Sequence, residues 1–314
     1  MYRLTGTFTL LSPLSHIGES ISTNSYLVQE PILQPDGSLE EVFCYSGNAW
    51  RGQLRDLCAA YMLDKLNSRV PLDAFHLLFS GGKIGGDQKV DVERIRQIRQ
   101  IIPMLSLFGG GLGNQIMPGK LRVSNCYPVC REAMHLLPDD YASDAHAISY
   151  RQMTMEKSFS RKDDSKNDNL LPHLNEMDLP LLEGKSKKSD EVNTQMRMTA
   201  ELVIAGTKLH TSIDILDASE IELGALVSGI HKFSESPHIG GQANRGHGRA
   251  LLDYRLLDTA TGEMRDFIRV KHDTTLLSQH AQAAKDAYDQ HLRAQYDAML
   301  EAKGGEMMQL LGAA

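Results

Sequence analysis

Four glycines and two arginines share the twelve residues HIGGQANRGHGR at 238–249. Guanidinium groups are permanently charged, forked donors that suit phosphate and carboxylate oxygens. Glycine lets the backbone turn left-handed and lets another chain approach without meeting a Cβ. The combination points to a polyanion as the visitor. A second arrangement of this kind is SGNAWRGQLRDL at 46–57. Ser46 and Asn48 are helix-capping residue types, and Arg51 and Arg55 lie four apart, on one helical face, with Gly52 beside them. The N–H groups of a helix start and two guanidiniums would make a phosphate site. The other reading is two surface arginines paired with Asp56 or Glu41, and the spacing leaves both open.

Other chemistry fits less well. GGGLGNQIMPGK at 109–120 fails as a nucleotide-hydrolase loop, because five residues separate Gly113 from Gly119 and Leu121 follows the lysine. It fails as a dinucleotide fingerprint because asparagine stands at 114 and a strand follows. No Ser-His-Asp, HExxH or paired-carboxylate pattern stands out. Asp139, Asp140 and Asp144 read as a solvated turn, and His16, beside Gly18, is the one acid–base candidate. Cys126 and Cys130 have no second pair at matching spacing, so with Cys44 and Cys58 they read as reduced thiols, and no metal or cofactor is expected.

These residues need elements to hold them. Residues 2–11 alternate as a half-buried strand, and 41–45 give a second. Residues 49–66 have helical period, and 71–79 read as a further helix stopped by Gly81 and Gly82. A third covers 90–103, ended by Pro103, and LFGGGLGN at 107–114 reads as a loop. A strand is expected over 120–129. Strand alternation returns over 196–216, followed by a helix to about 233, the glycine-rich loop, a strand over 250–258, and a long helix capped by Asp273 or Thr274. That last helix could pack on the domain or dock a neighbour. Residues 157–195, charged at both ends around an apolar centre, read as a protruding finger. Helices between strands without regular βαβ spacing indicate an α+β fold.

The chain has 314 residues and a net charge of −7, from 33 Lys and Arg against 40 Asp and Glu, which argues against a protein coated in nucleic acid on every side. Local clusters can override that balance: Arg51 and Arg55, Lys120 and Arg122, 157–166, 185–188, and 245–255. No stretch reaches the ~18 apolar residues of a membrane span, and the N-terminus lacks a signal-peptide pattern, so a cytoplasmic protein is expected.

Taken in order, LLSPLSHIGES (10–20), SGNAWRGQLRDL, LSLFGGG (105–111) followed by GKLRVSNC, AISYRQMT (147–154), LVIAGTKLHTSIDI (202–215) and HIGGQANRGHGRALL resemble the successive signatures of the RAMP superfamily. The resemblance is to its "Cas seven"-type backbone subunits, which polymerise along the guide RNA of CRISPR interference complexes, and it covers most of 1–255. It implies a modified ferredoxin-like, RNA-recognition-type palm with helical fingers at about 46–115 and a thumb hairpin at about 157–195. Residues 256–314 would then be a C-terminal extension. It further implies RNA contacts from His16, Ser46, Asn48, Trp50, Arg51, Gly52, Arg55, Gly109, Gly110, Lys120, Arg122, Arg151, Gln152, Met153, Arg245, Gly246 and Arg249.

Slicing relatives of type III complexes carry an aspartate in the loop after the first of these motifs. Here that loop reads HIGESISTNSYLVQEP, with no aspartate before Asp36. Glu19 and Glu30 do not sit where the acid would be. The resemblance therefore implies a non-slicing subunit, most like the type IV backbone protein. Its partners would be CRISPR guide RNA, target DNA or RNA through the guide, copies of itself head to tail, and other effector subunits. The rival reading is a RAMP endoribonuclease, either a target-slicing subunit or a guide-processing enzyme.

Overall fold

Alternation in the first residues builds the strand at the centre of the molecule. The computed structural model describes residues 1–82, 85, 92–141, 148–160, 197–272 and 274–300. Strand β1 (Tyr2–Leu10) sends Leu4, Phe8 and Leu10 into the core and turns Arg3, Thr7 and Thr9 to the opposite face. Two hairpins follow, β2 (Ile17–Ile21) with β3 (Asn24–Leu27) and β4 (Gln29–Leu33) with β5 (Leu39–Phe43). Helix α1 (Gly47–Lys65) begins on a Ser46 cap. After it come α2 (Leu72–Phe75), which runs on into a π-helical turn at His76–Ser80, α3 (Val92–Ile101) and α4 (Pro103–Phe108). Short strands β6 (Gly110–Leu112), β7 (Gln115–Met117), β8 (Leu121–Val123) and β9 (Tyr127–Pro128) lead to β10 (Thr154–Ser160). The chain closes with β11 (Arg197–Val203), β12 (Lys208–Ile215), α5 (Glu220–Phe233), β13 (Ala250–Asp258), β14 (Met264–Lys271), β15 (Thr274–Leu277) and α6 (Gln279–Leu300).

The main sheet runs β15-β14-β13-β1-β12-β8, with β9 also on β12, and every pairing is antiparallel. Phe8 on β1 meets Trp50 of α1 edge-on at 5.0 Å and Phe233 of α5 at 6.4 Å, so both helices cover one face of this sheet. A second sheet, β10-β11-β3-β2, stands beside it. Ser160 pairs with Arg197 across β10 and β11, so the chain leaves and re-enters at one place. The finger expected at 157–195 lies outside the described residues from 161 onward, as do Asp144 and the chain beyond 300.

Trp50 is wholly buried and its Nε1 donates to the Tyr254 hydroxyl at 3.0 Å, which in turn lies 3.0 Å from Thr211 Oγ1. This joins α1, β13 and β12 across the core. Trp50→Phe loses the donor and leaves a cavity where the second ring of the indole stood. The expected cost is about 2–4 kcal/mol, read from the urea midpoint at an unchanged m-value.

Several elements differ from the sequence reading. Pro103 starts a helix instead of ending one, since a proline at the first helical position gives up an N–H that has no partner there anyway. The loop expected at 107–114 therefore opens as the end of α4 and continues as the β6–β7 hairpin. The single strand expected at 120–129 is two, interrupted where Asn125 turns aside to accept from Gly47 N. Residues 274–277 extend the main sheet as β15, and Ser278, which accepts from Ala281 N, starts the last helix. That helix packs on its own domain. Ala281, Ala284, Tyr288 and Leu292 are buried, and α5 offers Gly224, where a Cβ would stand 2.0 Å from Ala284 O.

Candidate nucleic-acid interface

Three segments distant in the chain meet around 238–249. Residues 12–15 run beside this loop: Gly241 N donates to Ser15 O, Gly248 N to Pro13 O, and Arg249 N to Ser12 Oγ. Helix α1 approaches from below, where Gln53 Nε2 donates to His238 O at 2.6 Å and the Tyr45 hydroxyl hydrogen-bonds the Gly240 backbone. From the second sheet, β10 supplies Lys157 and Phe159, two residues apart and so on one face. The Arg245 guanidinium lies 4.9 Å over the Phe159 ring. His247 is buried, and burial, followed by the nearby charge of Lys157, lowers its pKa, with Arg245 adding to the repulsion.

The glycines make this loop possible. Gly240, Gly246 and Gly248 all have positive φ, and a Cβ at Gly248 would stand 2.0 Å from Ile239 O. The result is an exposed turn carrying Arg245 and Gly246, with Arg249 half-buried behind it.

The start of α1 is arranged differently from the phosphate site that its sequence offered. Gly47 N donates to Asn125 Oδ1 and Asn48 N to Ser46 Oγ, so the first donors of the helix are already used. Ser46 N donates to His16 Nε2 at 3.3 Å, and the His16 ring stands edge-on to Tyr45 at 4.9 Å. The nitrogen that accepts this bond is not free to take a proton from a substrate. The side chain of Asn48 and the Gly52 backbone face outward.

Arg51 and Arg55 share a face, as expected, but the face is internal. Arg55 is 6% exposed, and its Nη2 donates to Phe108 O at 2.8 Å and Gly109 O at 2.9 Å, while Nη1 reaches Leu77 O at 3.3 Å. Arg51 Nη2 also donates to Phe108 O. Both guanidiniums lie against the Phe108 ring. They hold the carbonyl end of α4, where backbone acceptors are unpaired and the helix dipole favours a cation. Burial, with Arg51 next, brings Arg55 down to about 10. Neither reading made from the spacing, phosphate or surface carboxylate, describes Arg55.

The remaining expected contacts are spread apart. Trp50 and Met153 are buried, as is Gly109, so these three do not present side chains or surface to a ligand. Gly110 begins β6, where a Cβ would meet Leu77. Lys120 Nζ binds both carboxylate oxygens of Glu222, at 2.8 and 2.9 Å, and Asp217 O. Arg122 is exposed on β8 in register with Asp214, on the sheet face away from the helices. Arg151 and Gln152 are exposed at the approach to β10, with Arg151 3.6 Å from Glu40. Of the six arginines, Arg51 and Arg55 hold the end of α4, Arg122 stands on β8 and Arg151 before β10. Arg245 and Arg249 share one site, which Lys157 and His247 join.

Carboxylates collect elsewhere. Glu19, Glu41 and Glu201 line an open cleft of about 430 Å³ with Tyr26 and Gln29. Glu30 accepts from Asn125 Nδ2 and from the Tyr127 hydroxyl and is not in that cleft. Among the described residues, no three His, Cys, Asp or Glu side chains are placed to hold a metal ion.

No family model matches the chain, and no curated protein matches it. Among solved structures it is similar to a chain of a "Type IV-B CRISPR Complex", with a TM-score of 0.56 and 21% identity, covering 86% of this chain and 96% of that one. The likeness is one of fold. No helix among the described residues is long and apolar enough to cross a membrane.

Lys157, Phe159 and His247 are the residues that the sequence reading left out of the site. Strand period over 154–160 was the available signal, since it puts Lys157 and Phe159 on one face.

Proposed function

We propose that this chain is a guide-RNA-binding backbone subunit of a CRISPR ribonucleoprotein effector, one that assembles head to tail along the guide and presents its bases for pairing, without slicing. The observation that carries this reading is the meeting of Lys157 and Arg245 at a glycine-built loop that also carries Arg249, in a protein whose net charge is −7. Clustered cations on an otherwise anionic surface attract a phosphate backbone at one place and repel it elsewhere.

The fold supports the reading in two ways. The order β13-β1-β12-β8, with α1 in the crossover from β1 to β8 and α5 in the crossover from β12 to β13, is compatible with a ferredoxin-like palm and supports that reading. The similar fold of a chain in a Type IV-B CRISPR complex gives this palm a precedent in an effector assembly. On this reading, α1 to α4 with β6 and β7 are the fingers, and β10 and β11 are the root of the thumb. Sequence specificity then belongs to base pairing, while the protein holds the backbone. A head-to-tail contact between copies is heterologous and grows a filament on the RNA.

The test is co-expression with a guide transcript. The purified protein is expected to carry RNA, seen as a high 260 to 280 nm absorbance ratio, and to release it as salt rises. Arg245→Ala is expected to weaken binding of single-stranded RNA and to flatten its salt dependence by about 0.7 in log–log slope. Retention of no RNA, or a salt response that Arg245→Ala leaves unchanged, overturns the reading. The endoribonuclease alternative is tested in the same preparation. Sequence-specific cleavage of guide precursor or complementary RNA with Mg²⁺, lost in Glu19→Ala or His16→Ala, would replace a binding subunit with an enzyme.

A further inference from the structure

Three arginines at the surface of this protein show the usual partner, a carboxylate. Arg3 meets Asp214 at 2.5 Å, Arg255 meets Asp140 at 2.8 Å, and Arg269 meets Asp253 at 2.6 Å. Those three are half-buried, whereas Arg245 is exposed, and among the described residues its neighbour is the Phe159 ring. The difference has a chemical consequence. A carboxylate uses the guanidinium fork and cancels its charge, whereas an aromatic face holds the cation through the ring quadrupole and leaves the in-plane N–H donors pointing outward, still charged.

The surroundings make such a hold necessary. Lys157, two residues from Phe159 on the same face of β10, brings a second positive charge to the site, and like charges favour an arginine turned away into solvent. The loop fixes the backbone, with Arg245 N donating to Gln242 O and Gly246 N to Ala243 O, but the space beside Gly246 is open, so the long side chain needs its restraint from elsewhere. Phe159 supplies the restraint without adding a negative group.

We infer that Phe159 is a positioning residue of the RNA site, whose ring fixes the Arg245 guanidinium edge-outward to receive a phosphate of the guide. The inference rests on the RNA-binding reading above and adds the residue that makes its principal cation effective. Its position on β10 also ties the root of the inserted segment to the 238–249 loop, so one contact couples the two sheets at the site.

The experiment measures binding of a mixed-sequence single-stranded RNA oligonucleotide to the full-length protein across a salt series. Phe159→Ala is expected to weaken binding about threefold and to flatten the slope as Arg245→Ala does. The double variant is expected to match Arg245→Ala alone, since the ring acts through the arginine. Phe159→Tyr and Phe159→Trp should keep wild-type behaviour, and Phe159→Leu, apolar but without a quadrupole, should resemble the alanine variant. A urea midpoint for each variant separates loss of positioning from loss of fold. The inference fails if Phe159→Ala leaves the slope at the wild-type value while Arg245→Ala lowers it, or if Phe159→Leu binds as wild type does. Wild-type protein that shows no salt-dependent binding sinks the RNA reading itself, whatever the Phe159 variants do.

Discussion

Gly248→Val is expected to lose both the fold of the 238–249 loop and the capacity to bind RNA. Gly248 has φ +81°, a region that β-branched residues avoid, and its Cβ would stand 2.0 Å from Ile239 O. The carbonyl cannot retreat, because this backbone is stitched on both sides: Ile239 N donates to Gly248 O at 2.9 Å and Gly248 N to Pro13 O at 2.8 Å. Relief of the clash breaks at least one of these bonds and moves His247 and Arg249, the residues on either side. A destabilisation of about 3 kcal/mol or more in urea, with RNA affinity lower by about tenfold, is the expected outcome. Gly246→Ala is the control. It shares the backbone angle, but its Cβ would meet nothing within 4 Å, so only about 1 kcal/mol of conformational cost is expected. Equal effects of the two variants would show that the close approach at Ile239 does not govern the loop.

Arg55→Met is expected to cost about 3 kcal/mol of stability while leaving the salt dependence of RNA binding untouched. The guanidinium serves three carbonyls, Leu77 O, Phe108 O and Gly109 O, and packs against the Phe108 ring. Hydrogen bonds from a charged donor to buried acceptors are worth more than neutral ones, and methionine would strand the acceptors in an apolar space that water does not reach. Part of the loss is returned because the charge no longer has to be desolvated, and because Arg51 no longer faces a like charge. Arg51→Met removes one donor from a carbonyl that keeps Arg55, so its cost is expected near 1 kcal/mol. Denaturation in urea beside the RNA salt series decides the matter. A flattened slope with an unchanged midpoint would return Arg55 to the RNA surface.

The two arginines show how far a sequence carries. Their four-residue spacing correctly placed them on one face of a helix, and Ser46 correctly marked its start. Spacing says nothing of what stands opposite that face. The partner is the end of α4, an element hidden in the sequence because Pro103 resembled a stop and the following glycines resembled a loop. The same limit applies to Lys120, whose partner Glu222 is about a hundred residues away and was legible only as an acidic residue in the first turn of α5. In contrast, the glycine-rich loop was readable because its need for positive φ is local: Gly240, Gly246 and Gly248 carry it in their own residue type. The α+β class followed from alternation and helical period, both local as well. Of the β2–β3 and β4–β5 hairpins, β5 was legible as a strand at 41–45, whereas β2, β3 and β4 escaped because they are short, with at most one buried position each to set a period.

The four cysteines, Cys44, Cys58, Cys126 and Cys130, are all buried, and burial raises each thiol to about 12. They stay protonated at neutral pH and shielded from reagents, so a maleimide can reach them only when the native packing opens. The molecule thus carries four intrinsic clocks of its own breathing. Cys58 beside Gly229 times the separation of α1 from α5, and Cys126, bridged to Tyr45, times the release of the sheet margin that supports the start of α1.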